Sequence, residues 1–373
     1  MKILFLLNSL TTGGSEHKII QLINGLDRLG VGVQLAYLNP PVHLLAKLSG
    51  TVKVTALNRR SGFDRQVMQQ LRSLLQQEEI SCLCCINLYP MLYALPASRG
   101  LLLKRVISIN TSTFRSVKER LKMFLYRPLL NYFDRLIFGS YQQQQDWQKC
   151  FWLSPKQSLV IHNGVDSVFF DPAFFQAQRE QLRAEYGIKA TTLVIGTVSS
   201  FRPEKGVEYL IAALAQLREE GRDVKALLVG DGKRRTFLEQ EAERMKVREH
   251  CLFVGRQMDV RQALASLDVF VLPSTSTETF SNAALEAMAM GLPLILTDIG
   301  GARELVEEHI NGLICAARNS TAIAQALRSL SHSTLLQSMA VASRTRAIEH
   351  FSQQNMIGAY LQLFQQLNGD ANK

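Results

Sequence analysis

Apolar residues in this chain form short, nearly continuous runs that are separated by longer amphipathic segments. The first runs cover residues 2–8 and 31–38, and later ones cover residues 192–199 and 294–297. Runs that are apolar at almost every position are typical of parallel strands with both faces buried. The pattern predicts an α/β chain of βαβ units, in which ligands bind beyond the carboxyl ends of the strands.

The alternation of apolar runs and amphipathic segments continues along the whole chain. Further strands are predicted at residues 52–56, 80–86, 105–109, 132–140, 159–166, 225–229, 252–255 and 267–272, and helices at 15–29, 239–245 and 351–367. With 373 residues, the chain is longer than one hydrophobic core usually requires. We therefore expect two domains.

Composition narrows the class of protein. The chain is 47% hydrophobic and 20% charged, which is typical of a folded protein. No apolar run reaches the roughly 18 residues that span a bilayer, and the first run predicts a strand rather than a leader, so we expect a cytoplasmic protein. The six cysteines lie in apolar or scattered positions, which favours buried thiols over metal ligands.

The formal net charge of +10 predicts anionic partners, either nucleotide diphosphates or an anionic membrane face. Nucleic acid is not expected as a partner, because no nucleic-acid-binding module is visible in the sequence.

The strongest chemical signal lies in residues 271–291, VLPSTSTETFSNAALEAMAMG. An apolar strand ends before Pro273, and a hydroxyl-rich loop leads into a helix rich in alanine and methionine. Glu278 lies in the loop, and Glu286 follows eight residues later, about two turns inside the predicted helix. Backbone N–H groups at the start of a helix favour phosphate or sugar oxygens. This stretch predicts a site for a polyhydroxy anion.

A second loop carries two cations at a turn from strand to helix. Arg202 and Lys205 lie in SSFRPEKG, where an arginine grips two oxygens and a lysine adds a point charge. The chain contains no Asp-x-Asp triplet, so we expect these cations and a helix dipole, rather than a carboxylate-held metal, to neutralise a diphosphate. The glycine turn at Gly13 and Gly14 is not G-x-G-x-x-G, which disfavours a nicotinamide-dependent oxidoreductase.

The sequence ETFSNAALEAMAMGLP, followed by Gly300 and Gly301, resembles the donor site of the retaining glycosyltransferase family 4. Gly13-Gly14-x-Glu16 and HNGVD before Phe169 are similar to family motifs as well. The resemblance implies a GT-B fold, with two doubly wound Rossmann-like domains facing each other across a cleft. It implies an acceptor-side domain of residues 1–168 with a C-terminal helix at about 352–373, and a donor-binding domain of residues 169–351.

The resemblance also implies site roles. Glu278 would face the transferred sugar, with Lys205 and Arg202 at the diphosphate, and Glu286 would hold the ribose hydroxyls. The remaining donor contacts would come from Gly14, Asn110, Gly255, Arg256, Thr279, Phe280, Ser281 and Asn282. Asn110 stands where many members carry a histidine, and Ser200 where many carry an arginine, so proton chemistry is not expected at Asn110.

The implied reaction is sugar transfer from a nucleotide-diphosphate sugar to an acceptor hydroxyl, with no further cofactor. Residues 113–130 are basic and amphipathic, with Arg115, Lys118, Arg120, Lys122 and Arg127 among apolar residues. Such a segment suits either an anionic membrane surface or a solvated helix face. The first favours a lipid-linked saccharide of bacterial surface polysaccharide as acceptor, and the second a soluble acceptor. A catalytically silent sugar-nucleotide-binding protein is the remaining alternative.

Overall fold

The chain folds into two α/β units. A computed structural model describes residues 1–11, 13–60, 62–110, 117–330 and 333–369. The first unit contains residues 1–164 and the C-terminal residues from Gln353 onward, and the second contains Val165–Ser352. The prediction of two doubly wound α/β domains is confirmed.

The first unit is built on a seven-stranded parallel sheet in the order β3-β2-β1-β4-β5-β6-β7. Its strands are β1 (Lys2–Leu7), β2 (Gly32–Tyr37), β3 (Lys53–Ala56), β4 (Cys82–Ile86), β5 (Lys104–Ile109), β6 (Arg135–Phe138) and β7 (Ser158–Val160). Its helices are α1 (Gly14–Arg28), α2 (Arg65–Gln77), α3 (Leu88–Ala97), α4 (Val117–Leu130), α5 (Tyr141–Phe151) and the chain-terminal α14 (Gln353–Gly369).

The central strands β1 and β4 are buried at every position after Lys2, which is why they are apolar at all of these positions. Side chains of β1 and β4 alternate between two cores, one under α1 and α14 and the other under α2, α3 and α5. Phe364 of α14 packs edge-on against Phe5 of β1, with ring centroids 6.1 Å apart. The C-terminal helix is therefore part of the core of the first unit.

The second unit is built on a six-stranded parallel sheet in the order β10-β9-β8-β11-β12-β13. Its strands are β8 (Leu193–Val198), β9 (Val224–Val229), β10 (Cys251–Gly255), β11 (Val269–Leu272), β12 (Leu294–Thr297) and β13 (Gly312–Cys315). Its helices are α6 (Arg179–Glu185), α7 (Val207–Glu219), α8 (Arg235–Arg244), α9 (Arg261–Ala265), α10 (Asn282–Ala289), α11 (Ala302–Leu305), α12 (Ser320–Ser329) and α13 (Ser333–Phe351).

Three local predictions need correction. The edge strand β13 was not predicted, because four residues after an Asn-Gly turn give too short an apolar run to stand out. The strand predicted at 132–140 is β6 alone, since Phe133 N–H bonds back to the Leu130 carbonyl in a helix-ending turn. The strand predicted at 159–166 ends at Val160.

Candidate functional site

Two loops at the carboxyl edge of the second sheet meet through an ion pair. Lys205 follows β8 and Glu278 follows β11, and Lys205 Nζ lies 2.6 Å from Glu278 Oε2. The two side chains are only 15% and 16% exposed. Ser274 Oγ donates to the same carboxylate oxygen over 3.1 Å. The structure thus brings together the two side chains to which the family resemblance assigned the diphosphate and the sugar.

A glycine brings the Lys205 loop this close to the Glu278 loop. Gly206 has φ +60°, and a Cβ there would lie 2.2 Å from the Pro273 carbonyl oxygen. Thr275 N–H donates to the Glu204 carbonyl over 2.8 Å, so the two backbones are joined directly. Any larger residue at position 206 would push the loops apart and separate Lys205 from Glu278.

A second glycine fixes the backbone of Glu278 itself. Gly300 has φ +58°, and a Cβ there would lie 1.8 Å from the Glu278 carbonyl oxygen. Next to it, Gly301 N–H donates to the Thr279 carbonyl over 2.9 Å. The loop that carries Glu278 is therefore clamped between the turn after β12 and the loop after β8, and the carboxylate has a defined position before any ligand binds.

Helix α10 begins later than its sequence pattern suggested. Ser281 is its N-cap, and Ser281 Oγ accepts a hydrogen bond from Ala284 N–H over 3.2 Å. Glu286 is therefore the fifth residue of the helix, a little over one turn inside rather than two. Phe280, just before the cap, is buried against Phe351, so the loop remains non-helical up to the cap.

Glu286 is a half-buried carboxylate without a counter-ion. Among the described residues it has no hydrogen-bond or ion-pair partner, and desolvation raises its pKa to about 7. A desolvated carboxylate with no protein donor is costly to the fold. Its four lone-pair positions are available to hydroxyl donors of a ligand, which is the chemistry that a ribose diol offers.

Other predicted donor residues lie apart from this pair. Arg202 is exposed and contacts Glu204 at 3.3 Å and Ser200 Oγ at 3.0 Å, not the Lys205–Glu278 pair. Gly255 ends β10, and its carbonyl accepts from Gly230 N–H over 2.8 Å, which joins the ends of β9 and β10. Arg256 follows as an exposed residue, while Thr279 and Asn282 flank the cap of α10.

Gly14 and Asn110 belong to the first unit. Gly14 is the first residue of α1. Asn110 follows β5, and its backbone N–H donates to Asn87 Oδ1 over 2.9 Å, whereas its buried Nδ2 donates to no described residue. A buried amide donor without an acceptor suits a ligand oxygen.

Sequence reasoning missed three charged or polar residues of the first unit. Lys18 of α1 is 2% exposed, and burial lowers the pKa of its ammonium to about 8. Lys18 lies four residues before Leu22 on the apolar face of the helix, and a lysine at such a position is the sequence signal that indicates a buried charge. Arg59 and Tyr89 contact each other at the carboxyl edge of the first sheet, and no spacing in the sequence indicates this.

The basic segment predicted at 113–130 is described in part. Arg115 lies outside the described residues, as do the side chains of Lys118, Arg120 and Lys122. No helix among the described residues is both long and apolar enough to cross a bilayer.

Two family models match successive parts of this chain. A model described as Glycosyltransferase Family 4 matches residues 12–169, and one described as Glycosyl transferases group 1 matches residues 178–348. The chain belongs to the family 4, group 1 glycosyltransferases. The match to the second model contains the Lys205–Glu278 pair, Glu286 and both clamping glycines.

Similar proteins include N-acetyl-alpha-D-glucosaminyl L-malate synthase of Bacillus anthracis, 31% identical over 206 residues, which are 55% of this chain and 52% of that protein. UDP-Gal:alpha-D-GlcNAc-diphosphoundecaprenol alpha-1,3-galactosyltransferase of Escherichia coli is 27% identical over 66% of this chain and 65% of its own. The chain spans about half to two thirds of the length of these relatives. The crystal structure of Anabaena HepE in complex with UDP shares the fold, with a TM-score of 0.88, 22% identity, and coverage of 98% of this chain and all of that one.

Proposed function

We propose that this protein transfers a sugar from a nucleotide-diphosphate sugar to an acceptor hydroxyl, with retention of anomeric configuration. The observation that carries the proposal is the Lys205–Glu278 contact at the carboxyl edge of the second sheet. An ammonium and a carboxylate held 2.6 Å apart form a boundary between a region suited to phosphate oxygens and one suited to sugar hydroxyls.

In the proposed reaction, the bond between the anomeric carbon and the departing phosphate oxygen breaks while the acceptor oxygen attacks from the same face. The acceptor proton passes to the departing phosphate oxygen, so no protein nucleophile is required. Lys205, Arg202 and the N-terminus of α10 stabilise the negative charge on the leaving diphosphate. Positioning and electrostatics then supply most of the acceleration.

Glu286 is assigned to the ribose hydroxyls of the donor. Its unpaired carboxylate accepts from both hydroxyls when it is ionised, and its pKa of about 7 makes that ionisation dependent on pH near neutrality. Donor affinity should rise from pH 6 to pH 8 and then level off.

A thermal-shift screen against UDP-, GDP- and ADP-sugars tests donor binding. A bound donor raises the apparent stability by mass action, by about 2.7 kcal/mol at one hundred times its Kd. UDP-sugars are expected to give the largest shift, since the similar Anabaena protein is described in complex with UDP. If none of the three nucleotides shifts the midpoint, the proposal of a nucleotide-sugar donor fails. A shift without sugar transfer to any acceptor would support the catalytically silent alternative.

We further propose a lipid-linked saccharide as the acceptor, reached by peripheral binding to the inner face of the membrane. Phe124 and Leu125 of α4 are exposed, and so is Trp152 next to them, with the Phe124 and Trp152 rings 6.3 Å apart. Arg127 lies over the Trp152 ring at 5.8 Å. Exposed aromatics beside a cation suit the interface of an anionic bilayer. The similar Escherichia coli protein is named for an acceptor on diphosphoundecaprenol, which also supports a lipid-linked acceptor.

Vesicle co-sedimentation tests this membrane contact. Binding should require anionic lipid, weaken as salt screens the charges, and fall in the double variant Phe124→Ser, Trp152→Ser. Phe174→Ser, which removes an aromatic from the second unit whose exposed fraction lies between those of Phe124 and Trp152, should bind like the wild type. Absence of binding at low salt would redirect the search to soluble acceptors, as the name of the similar Bacillus anthracis synthase suggests.

A further inference from the structure

A hydrogen-bonded chain of polar side chains follows the carboxyl ends of β1 to β4. Asn8 comes after β1, Asn39 after β2 and Arg59 after β3, and Tyr89 lies in the first turn of α3 after β4. Asn39 Nδ2 donates to Asn8 Oδ1 over 3.0 Å. Arg59 Nε donates to Asn39 Oδ1 over 3.3 Å, and Arg59 Nη1 donates to the Tyr89 hydroxyl over 2.5 Å. The chain spans the point where the strand order reverses, between β1 and β4, which is where doubly wound sheets bind ligands.

Arg59 is half-buried, and no described residue neutralises its charge. All of its acceptors are neutral oxygens, namely those of Asn39, Tyr89 and the Gly62 carbonyl at 3.1 Å. Arg59 Nη2 donates to no described residue, and Arg59 forms no ion pair within the described part of the chain. Withdrawing a cation from water without a counter-charge is unfavourable, and an anionic ligand on the open Nη2 side offsets that cost.

The segment between β3 and α2, which carries Arg59, also carries the aromatic ring of Phe63. Phe63 is 55% exposed and stacks on Tyr93, with ring centroids 5.2 Å apart and planes at 14°. The Tyr93 hydroxyl donates to the Gly62 carbonyl over 2.9 Å, and this carbonyl also accepts from Arg59. One backbone group thus fixes the aromatic ring and the guanidinium relative to each other. We call Arg59, Phe63, Tyr89 and Tyr93 the Arg59 platform.

We propose that the Arg59 platform binds an anionic oxygen group, phosphate or carboxylate, on the saccharide acceptor, with Phe63 against the sugar ring. The inference rests on the proposed sugar transfer and names the chemical class of its acceptor. Arg59 Nη2 keeps two N–H donors for oxygens of the anionic group, and the bonds from Nε to Asn39 and from Nη1 to Gly62 and Tyr89 hold the guanidinium in place. An exposed aromatic ring supplies apolar area for the face of a sugar.

Saturation-transfer NMR on the full chain with UDP present tests the proposal. The probes are methyl glucoside, glucuronic acid and glucose 6-phosphate. At least one anionic probe should bind about tenfold or more tighter than the neutral one, and Arg59→Gln should abolish that preference. Arg59→Lys should restore part of it relative to Arg59→Gln, because it returns the charge without the guanidinium that Asn39, Gly62 and Tyr89 hold in place. An Arg59-dependent preference for the phosphate supports a phosphorylated or diphosphate-linked acceptor, and one for the carboxylate supports an acidic sugar.

Arg60→Gln is the matched control, because it removes the same charge from an exposed neighbour. It should keep the preference for anions. Equal binding of neutral and anionic probes to the wild type, or an equal loss in Arg60→Gln and Arg59→Gln, would overturn the proposal. If Arg59→Gln does not fold, Phe63→Ala tests the proposal instead. It should weaken the binding of all three saccharides and leave the binding of inorganic phosphate unchanged. Weaker phosphate binding with unchanged saccharide binding would contradict the proposed platform.

The UDP-induced thermal shift separates this inference from the proposed function. Arg59→Gln should keep the full shift, because Arg59 is not among the residues assigned to the donor. Arg59-dependent binding of anions without any nucleotide shift would leave the anion site standing and remove the nucleotide-sugar donor. A normal nucleotide shift with no preference for anionic probes would support the nucleotide-sugar donor and overturn the anion site at Arg59.

Discussion

The carboxyl edges of the two sheets carry opposite electrostatic arrangements. In the second unit, the cation and the anion of the candidate donor site neutralise each other, and two glycines clamp their loops. In the first unit, Arg59 is tied only to neutral oxygens. The same architecture therefore supports an edge whose charges are paired before a ligand binds and an edge whose charge lacks a partner in the described chain.

Each unit also has a desolvated charged side chain within a helix, and the two differ in the sign of the charge. Glu286 of α10 and Lys18 of α1 are both desolvated without a counter-ion, and burial shifts the pKa of each toward neutrality, to about 7 and about 8 respectively. Both cost stability in their charged forms, over opposite pH ranges. Glu286 lies in the helix that follows the Glu278 loop, whereas Lys18 lies against the Tyr360 ring in the core of the first unit, so only the surroundings of Glu286 suit a ligand.

The largest expected effect on activity comes from the Lys205–Glu278 pair at the carboxyl edge of the second sheet. Lys205→Ala should lower sugar transfer at least about a hundredfold, because it removes a preorganised charge from the leaving diphosphate. Initial rates with the donor identified by thermal shift would measure the loss. Lys189→Ala, at an exposed lysine of the same unit, should behave as the wild type. A near-normal rate for Lys205→Ala would mean that the ion pair only holds the two loops together.

Glu286→Gln separates function from stability. Calorimetric titration with the nucleoside diphosphate should show a loss of about 1–3 kcal/mol in binding, since a charged acceptor for two hydroxyls is removed. The same variant should be more stable than the wild type at pH 8, by at most about 3 kcal/mol, because the folded pKa lies above the ordinary value.

The pH dependence of Glu286→Gln follows from the same pKa shift. The stability cost of Glu286 is absent below its unfolded pKa of 4.5, grows between 4.5 and about 7, and is complete above that. Urea unfolding at pH 4.5 and at pH 8 measures the difference. Unchanged donor affinity in a folded variant would remove Glu286 from the site.

Lys18→Met should stabilise the protein with the opposite pH dependence. The folded pKa of Lys18, about 8, lies below the unfolded 10.5, so the cost is complete below pH 8 and is lost as pH rises toward 10.5. We expect a gain of at most about 3 kcal/mol at pH 7 and little gain near pH 10.5. Urea unfolding monitors it, and the UDP-induced shift should stay unchanged. Lys18 Nζ lies 5.8 Å from the centroid of the Tyr360 ring, and a loss of stability at pH 7 would show that this contact outweighs the desolvation cost.

The smallest expected effect is that of chelation. If Lys205 and Arg202 neutralise the leaving group, turnover in excess EDTA should equal turnover with magnesium. The carboxyl edge of the second sheet already carries a cation, Lys205, in the place where a divalent metal would otherwise be needed. A strict requirement for a divalent metal would refute the proposed charge stabilisation.

The sequence by itself determined the architecture and the family. Apolar runs without alternation specify buried parallel strands, and the ETFSNAALE stretch with its downstream glycines specifies the type of site, since both signals depend on local order along the chain. The class of anionic ligand expected there also follows from a loop between a strand and a helix.

Only the tertiary structure decided which groups meet and which remain alone. Lys205 and Glu278 are 73 residues apart and form one ion pair because parallel strands bring their carboxyl ends to one edge. The Arg59 platform draws on separate strand ends, which no sequence spacing records. The pKa values of Glu286 and Lys18 follow from desolvation, a property of the surrounding atoms. Contacts and burial depend on packing between distant segments, and local sequence does not encode them.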